Sequence, residues 1–349
     1  AELGAYQPMS SLLFCTGGNK ESGIGHLMRC QALAQAAQDH GIDAVFVVSE
    51  AAREIALSRH DWCGKLMTDT ADQNALATEL LGVARDIDAI AIVVDGYAFN
   101  ERLLQSLGES SYPLVLLDDI RQPGVQFANL ICNPAGREWQ DYYQQQNPQA
   151  TLCLGAEYRL LRREFTATIP LPIERRFSLT INLGGSDPLD YTLPLLRAIS
   201  EALTDAPIRV VTGPAMNCEQ IEAIKAYIND SAYAIQHVHN CQDMADLWSN
   251  SRLAITAAGG SQFELAACHT PAVLLVVAEN QRNTTEQSVK QGWCMMYDAL
   301  DCIDLDQISK HVTSMWHDGE KLSRMSLAAS DYATKDGAFC LLNSILDLS

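Results

Sequence analysis

Positive charge is scarce in this chain of 349 residues: 24 lysines and arginines stand against 43 acidic residues, a formal net charge of −19, with a pI near 4.7. A field of that sign repels polyanions, which excludes non-specific binding to nucleic acid or to an anionic membrane surface. An anionic ligand must therefore be held locally, by backbone N–H groups or by a few placed cations. Long apolar runs are lacking too. The longest, Pro271–Ala278, is far short of the ~20 residues of a membrane span. No Lys or Arg precedes Lys20, so the positive segment of a secretion signal is missing. None of the eleven cysteines forms C-x-x-C, and the closest pair, Cys294 and Cys302, is eight apart. Neither a zinc knuckle nor a disulfide framework is visible. The expectation is a soluble, cytoplasmic protein with buried free thiols.

Core material is plentiful. Hydrophobic residues make up 48% and charged residues 19%, which excludes bulk disorder, and the length suits two α/β domains of roughly 150–180 residues each. Short apolar runs at Ser11–Cys15, Ala44–Val48, Ala89–Asp95 and Leu114–Asp118 read as buried strands. They alternate with helical patterns at Leu27–His40, Ala71–Arg85 and Glu101–Leu107. The alternation pauses near Arg162–Phe177, where Ile169-Pro170-Leu171-Pro172 forces an extended connection. A second series follows, with strands at Leu179–Leu183, Ile208–Val211, Leu253–Ala257 and Ala272–Val277. Its helices fall near Asp190–Leu203, Cys218–Ile228, Gln242–Trp248, Gln262–His269 and Glu286–Gln291, and the tail adds Asp304–His317 and Ala338–Leu348. The pattern predicts two Rossmann-like domains with parallel sheets and a ligand cleft between them. The divisions are an amino-terminal domain over 1–168, a second over 169–332, and a tail helix over 333–349.

Four strand-to-helix turns carry the polar residues of interest. The first strand runs into Thr16-Gly17-Gly18-Asn19-Lys20-Glu21-Ser22-Gly23-Ile24-Gly25-His26. Its glycines permit close backbone approach to a ligand, yet the spacing is not the dinucleotide fingerprint, so no nicotinamide site is expected. The loop delivers His26 to a helix start, which disfavours imidazolium and leaves a ring able to accept a proton. A turn-capping histidine is the plainer alternative, and the double glycine tips the balance toward function. In Leu183-Gly184-Gly185-Ser186-Asp187-Pro188, Asp187 is a candidate N-cap with Pro188 in the first helical position, leaving free N–H groups for a phosphate. In Ala258-Gly259-Gly260-Ser261-Gln262-Phe263-Glu264, Ser261 and Glu264 have capping-box spacing. Taken alone, that segment favours the cap over a diphosphate cradle. Glu279-Asn280-Gln281 is a polar turn at a strand's carboxyl end, where ligands of open α/β sheets bind.

Asp95-Gly96-Tyr97 is either a ligand-facing lip or an ordinary turn, and Asp118-Asp119 read as loop and cap residues. His237 and His239 read as strand-end neighbours, not metal ligands, and no metal or cofactor motif is visible.

In order, these segments resemble the UDP-sugar hydrolases of the pseudaminic acid pathway, the PseG family, over nearly the whole chain. The resemblance also rests on Gly23-Ile24-Gly25-His26-Leu27-Met28-Arg29-Cys30, Leu117-Asp118-Asp119, Asn133-Pro134-Ala135 and the stretch from Gly155 to Phe165. It implies GT-B architecture, similar to the glycosyltransferase that adds N-acetylglucosamine to the peptidoglycan precursor. It further implies hydrolysis of UDP-2,4-diacetamido-2,4,6-trideoxy-β-L-altrose to UDP and free sugar, with the tail helix returning to the first domain. Carried over by position, His26 is catalytic, and Gly25, Arg29, Tyr97 and Asn280 meet the sugar. Gly184, Gly185, Gly259, Gly260, Ser261 and Glu264 meet UDP, which reverses the preference for the capping box. The family carries Arg where Cys15 stands here and Asp where Gly17 stands.

The expected mechanism is water attack at the anomeric carbon with inversion, His26 acting as general base and peptide amides stabilising the diphosphate, without metal or cofactor. A GT-B glycosyltransferase and a catalytically divergent UDP-sugar binding protein are the alternatives, with a UDP-sugar 2-epimerase behind them.

Overall fold

The computed structural model describes residues 10–17, 24–70 and 72–348. Residues 26–163, together with the first strand and residues 336–348, cluster as one unit, and residues 24–25 and 164–335 as another.

The first unit is built on seven parallel strands: β1 (Ser11–Thr16), β2 (Asp43–Val48), β3 (Lys65–Thr68), β4 (Ala89–Asp95), β5 (Leu114–Leu117), β6 (Leu130–Asn133) and β7 (Thr151–Leu154). Their order across the sheet is β3-β2-β1-β4-β5-β6-β7. Strands covered on both faces read as unbroken apolar runs, and β1 and β5 are buried at every position. Crossover helices are started by side chains in non-helical backbone. Ser49 caps Glu50–Leu57, Asp72 caps Gln73–Asp86 and Asn100 caps Glu101–Gly108. Leu76, Leu80, Leu103 and Leu107 of these helices pack with Leu13, Val45, Ile92 and Leu116 of the strands in one core. The helix Gly337–Leu346 packs in this unit, against β7 and the turn at 156–158.

The second unit repeats the plan with six parallel strands: β8 (Ser178–Asn182), β9 (Ile208–Thr212), β10 (Ile235–His239), β11 (Ser251–Ala257), β12 (Ala272–Val276) and β13 (Cys294–Asp298). The order is β10-β9-β8-β11-β12-β13. Its core sets Leu179, Ile181, Leu253 and Ile255 of the central strands against Leu195, Ile199, Val312 and Met315 of the helices.

In both sheets the strand order reverses beside the unit's first strand, between β1 and β4 and between β8 and β11. At such a switch point the connections leave to opposite faces, opening a crevice at the carboxyl ends of the strands. The turns after β1, β4, β8 and β11 are among those that the sequence singles out, together with the turn after β12.

Two expectations about local structure are corrected. The helix after β8 does not begin at Pro188: Asp187 and Asp190 hold left-handed backbone, with φ of 44° and 53°, and the helix starts at Thr192. Asp187 caps it from farther back, accepting from the amides of Tyr191 and Thr192 and from the Thr192 hydroxyl. That helix end is therefore already satisfied by a carboxylate. Nor does Ser261 cap its helix, for Gly260 holds the N-cap position, without a side-chain cap, and Ser261 is the first helical residue.

Candidate functional site

The helix Gly25–Asp39 follows β1 and places His26 in its first turn and Arg29 three residues on, along one face. The loop residues 18–23, with Gly18, Asn19, Lys20, Glu21, Ser22 and Gly23, lie outside the described residues. Gly25 is exposed at the first helical position, with open space where a Cβ would stand. Across the switch point, β4 ends on Asp95, whose side chain is fully buried. Gly17 donates its amide to the Asp95 carbonyl at 2.9 Å. The chain then turns through Gly96, whose φ is 151° and whose missing Cβ would press Phe99 at 2.9 Å. Only glycine fits that turn without strain.

His26 Nδ1 lies 2.8 Å from Asp95 Oδ1. Two acceptors cannot meet at that distance without a proton between them, so Nδ1 carries the hydrogen and donates it. The approach of Arg29 Nη2 to the same nitrogen at 3.1 Å is thus a proximity of two donors and no bond. The basic nitrogen of the neutral ring is then Nε2, which has no hydrogen-bond partner among the described residues. The ring is 6% exposed and meets Tyr97 edge to face at 4.5 Å.

Arg29 grips Asp95 with two nitrogens, Nε to Oδ2 and Nη2 to Oδ1, at 2.5 Å each, and reaches Asp119 Oδ2 with Nη1 at 3.1 Å. Burial alone raises a carboxyl's pKa, but Arg29 and then His26 overrule it and bring Asp95 down to about 2. Burial likewise works against charge on Arg29, and the carboxylates of Asp95 and Asp119 outweigh it, holding the group well above its ordinary value. Tyr97 is 46% exposed. Its phenol is pushed up by burial and by Asp119, to which it hydrogen-bonds.

Asp118 and its neighbour part company. Asp118 is buried and accepts from the amides of Ile120, Arg121 and Gln122 and from the Tyr143 hydroxyl at 2.7 Å, a loop-fastening role as the sequence suggests. Asp119, expected to be a loop residue of the same kind, instead joins the Arg29 cluster. Sequence reasoning missed the pairing of Asp95 with His26, whose only trace is that each ends or follows a strand at the switch point. Cys15 packs into the core with Leu13 and Val47.

In the second unit, the turn after β8 carries Gly184 and Gly185. It lies against the turn after β9 so closely that a Cβ on Gly213 would stand 2.3 Å from the Gly185 carbonyl. Gly185 O accepts from Ala215 N at 3.0 Å. The turn after β11 carries Gly259 and Gly260, followed by the helix Ser261–Ala267 with half-buried Glu264 on it. Asn280 lies in the single 3-10 turn Glu279–Gln281 after β12. His237 and His239, on β10, both bond to the Thr212 hydroxyl, at 2.8 and 3.0 Å. No group of three or more possible metal ligands assembles among the described residues.

Residues 183–338 match the model of the Glycosyltransferase family 28 C-terminal domain. An uncharacterized protein of Methanocaldococcus jannaschii is 23% identical over 286 residues, 79% of this chain and 57% of that one, so the chain spans little more than half the length of that relative. The spore coat polysaccharide biosynthesis protein SpsG of Bacillus subtilis is also 23% identical over 286 residues, 80% of this chain and 81% of its own. Among solved structures, the S. aureus MnaA–UDP co-structure is similar with a TM-score of 0.67 at 12% identity, over 98% of both chains. Two parallel α/β units with this strand order, the second matching a glycosyltransferase family 28 domain, give the chain a GT-B-type fold.

Proposed function

We propose that the chain is a UDP-sugar hydrolase, releasing UDP and a free 2,4-diacetamido-2,4,6-trideoxyhexose of pseudaminic acid synthesis. The observation that carries the reading is the hydrogen bond from His26 Nδ1 to buried Asp95, which fixes the tautomer and makes Nε2 the proton acceptor. In this reading Nε2 takes a proton from water, the water oxygen bonds to the anomeric carbon, and the C–O bond to UDP breaks with inversion. The bonding pair leaves on the diphosphate, a good leaving group without protonation. Asp95 holds the ring and balances the imidazolium that forms, the division of labour of a hydrolytic triad. A positioned general base is worth about 10²–10⁴ in rate.

The remaining roles follow the resemblance. Tyr97, Asn280 and Gly25 meet the sugar. The resemblance assigns Arg29 to the sugar as well, but its guanidinium is engaged by Asp95 and Asp119, and we give it instead the part of keeping Asp95 charged and in place. Gly184, Gly185, Gly259, Gly260 and Ser261 offer amides to the diphosphate, and Glu264 accepts from the ribose hydroxyls. Because the helix at Thr192 is already capped by Asp187, diphosphate contacts after β8 fall to the glycine turn itself. Two likenesses support the choice of ligand: the B. subtilis relative is named for polysaccharide biosynthesis, and the MnaA structure on the same fold holds UDP.

A second reading, transfer of the sugar to an acceptor other than water, is favoured by the match of residues 183–338 to a glycosyltransferase domain. The experiment is to incubate the protein with a panel of UDP-sugars in heavy-oxygen water, with no acceptor. Release of UDP with the label in the sugar is the expected result. Label in UDP means attack at phosphorus, and UDP release only on adding an acceptor means a transferase; either result overturns the hydrolase.

A further inference from the structure

Gln262 is 2% exposed, an expensive place for a carboxamide unless every polar atom is matched. It is matched on both ends. Nε2 donates back to the carbonyls of Ala258 and Gly259, at 3.1 and 3.3 Å. Oε1 accepts from the Ser288 hydroxyl at 2.8 Å, and Ser288 Oγ lies 3.1 Å from the Tyr332 hydroxyl. Ser288 is fully buried. A hydroxyl has one proton to give, so with Ser288 donating to Gln262 the Tyr332 hydroxyl donates to Ser288. The chain of donors then runs one way, from Tyr332 through Ser288 and Gln262 to two main-chain carbonyls, and each bond polarises the next.

The peptide plane turns this into a statement about the glycine loop. In a trans peptide the carbonyl and the N–H of the same unit point in opposite directions. The Ala258 carbonyl shares its unit with the Gly259 N–H, and the Gly259 carbonyl shares its unit with the Gly260 N–H. Drawing both carbonyls inward onto Gln262 therefore turns both amides outward. Neither amide has a hydrogen-bond partner among the described residues. Gly260 is exposed and Gly259 half-buried, so the pair is presented ready-made to an anion.

We infer that Gln262, braced by Ser288 and Tyr332, is a positioning residue that pre-sets the Gly259 and Gly260 amides for an anionic diphosphate. The inference rests on the reading above for the identity of the ligand, but the pre-setting itself is a property of the free protein. Side chains of this network touch the loop's carbonyl side only, so their effect reaches the ligand through the backbone.

Three variants grade the network. Gln262→Met keeps the length of the side chain and removes all its hydrogen bonds, Ser288→Ala removes the middle of the chain, and Tyr332→Phe removes its far end. Hydrogen exchange of the segment 257–263 is measured in the free full-length chain, and UDP affinity by titration calorimetry, with a thermal melt to confirm folding. Exchange in that segment should be accelerated most by Gln262→Met, less by Ser288→Ala and least by Tyr332→Phe. UDP binding should weaken about tenfold or more for Gln262→Met and severalfold for Ser288→Ala. Unchanged exchange in Gln262→Met and Ser288→Ala overturns the inference. So does faster exchange with undiminished UDP affinity. If Gln262→Met fails to fold, Ser288→Ala and Tyr332→Phe carry the same two criteria. Faster exchange in variants of a protein whose wild type binds no UDP would retain the brace and remove the ligand reading, so the two failures are distinguishable.

Discussion

His26 Nδ1 and Asp95 Oδ1 stand 2.8 Å apart although 69 residues separate them, because β1 and β4 are neighbours at the point where the first sheet reverses its order. The pair is made by topology: one member follows the first strand, the other ends the fourth. Arg29, one helical turn beyond His26, closes the group by taking both oxygens of the same carboxylate.

Replacing His26 by Gln removes the base and leaves the second unit's chemistry untouched. Turnover should fall by about 10²–10⁴, with UDP affinity within about twofold or threefold of the parent. Calorimetric titration with UDP beside a steady-state UDP-release assay checks both, and an equal loss of binding and turnover would remove His26 from the catalytic role.

Asp95→Asn keeps the shape of the group and loses its charge. With an amide in place of the carboxylate the ring is free to take the other tautomer, which puts the hydrogen on Nε2, so kcat should fall steeply while KM moves little. A loss confined to KM would place Asp95 in substrate binding instead.

The same carboxylate sets an acid limit on stability. Its folded pKa, about 2, lies below the ordinary aspartate value of 3.8, so the unfolded chain takes up this proton first as the medium is acidified. The stabilisation is fully present above the unfolded value and is lost as pH falls from about 4 toward 2. Urea unfolding across that interval should show a steeper loss for the parent than for Asp95→Asn, whose curve lacks this contribution. Parallel curves would show that Arg29 and His26 do not hold the carboxyl down.

Glu264→Ala should weaken UDP binding, roughly tenfold if a charge-assisted hydrogen bond to a ribose hydroxyl is lost. Because Gly260 and not Ser261 holds the N-cap position, that loss does not run through a capping box. The reverse pattern, a lowered midpoint at unchanged affinity, would mean that Glu264 serves only its helix.

The sequence made the central strands legible, and the reason is burial. Ala89–Asp95 and Ala272–Val276 are covered on both faces and read as apolar runs. The strands it left unread are β3, β7, β10 and β13 at the sheet edges, and β6, whose apolar run is only Leu130-Ile131-Cys132. Lys65–Thr68 and Ile235–His239 are half-buried and mix polar with apolar residues, so no period distinguishes them from loop. At the candidate site the glycine turns and His26 were readable because turns after strands announce themselves. Asp95 as partner of His26, Asp119 as partner of Arg29 and Gln262 as a brace were not, since each depends on which strands or helices lie side by side. The expected helix start at Pro188 failed because left-handed residues at 187 and 190 lengthen the turn.

A grip made of main-chain amides, as proposed for Gly259 and Gly260, has no titrating group of its own. The hold of that loop on a diphosphate should therefore follow the ionisation of the nucleotide as acidity changes, leaving Glu264 as the titrating side chain assigned to the same ligand, and salt should weaken it less than it would a cluster of lysines. For a molecule with 43 acidic side chains and 24 basic ones, that is a way to keep an anion without building a patch of opposite charge around it.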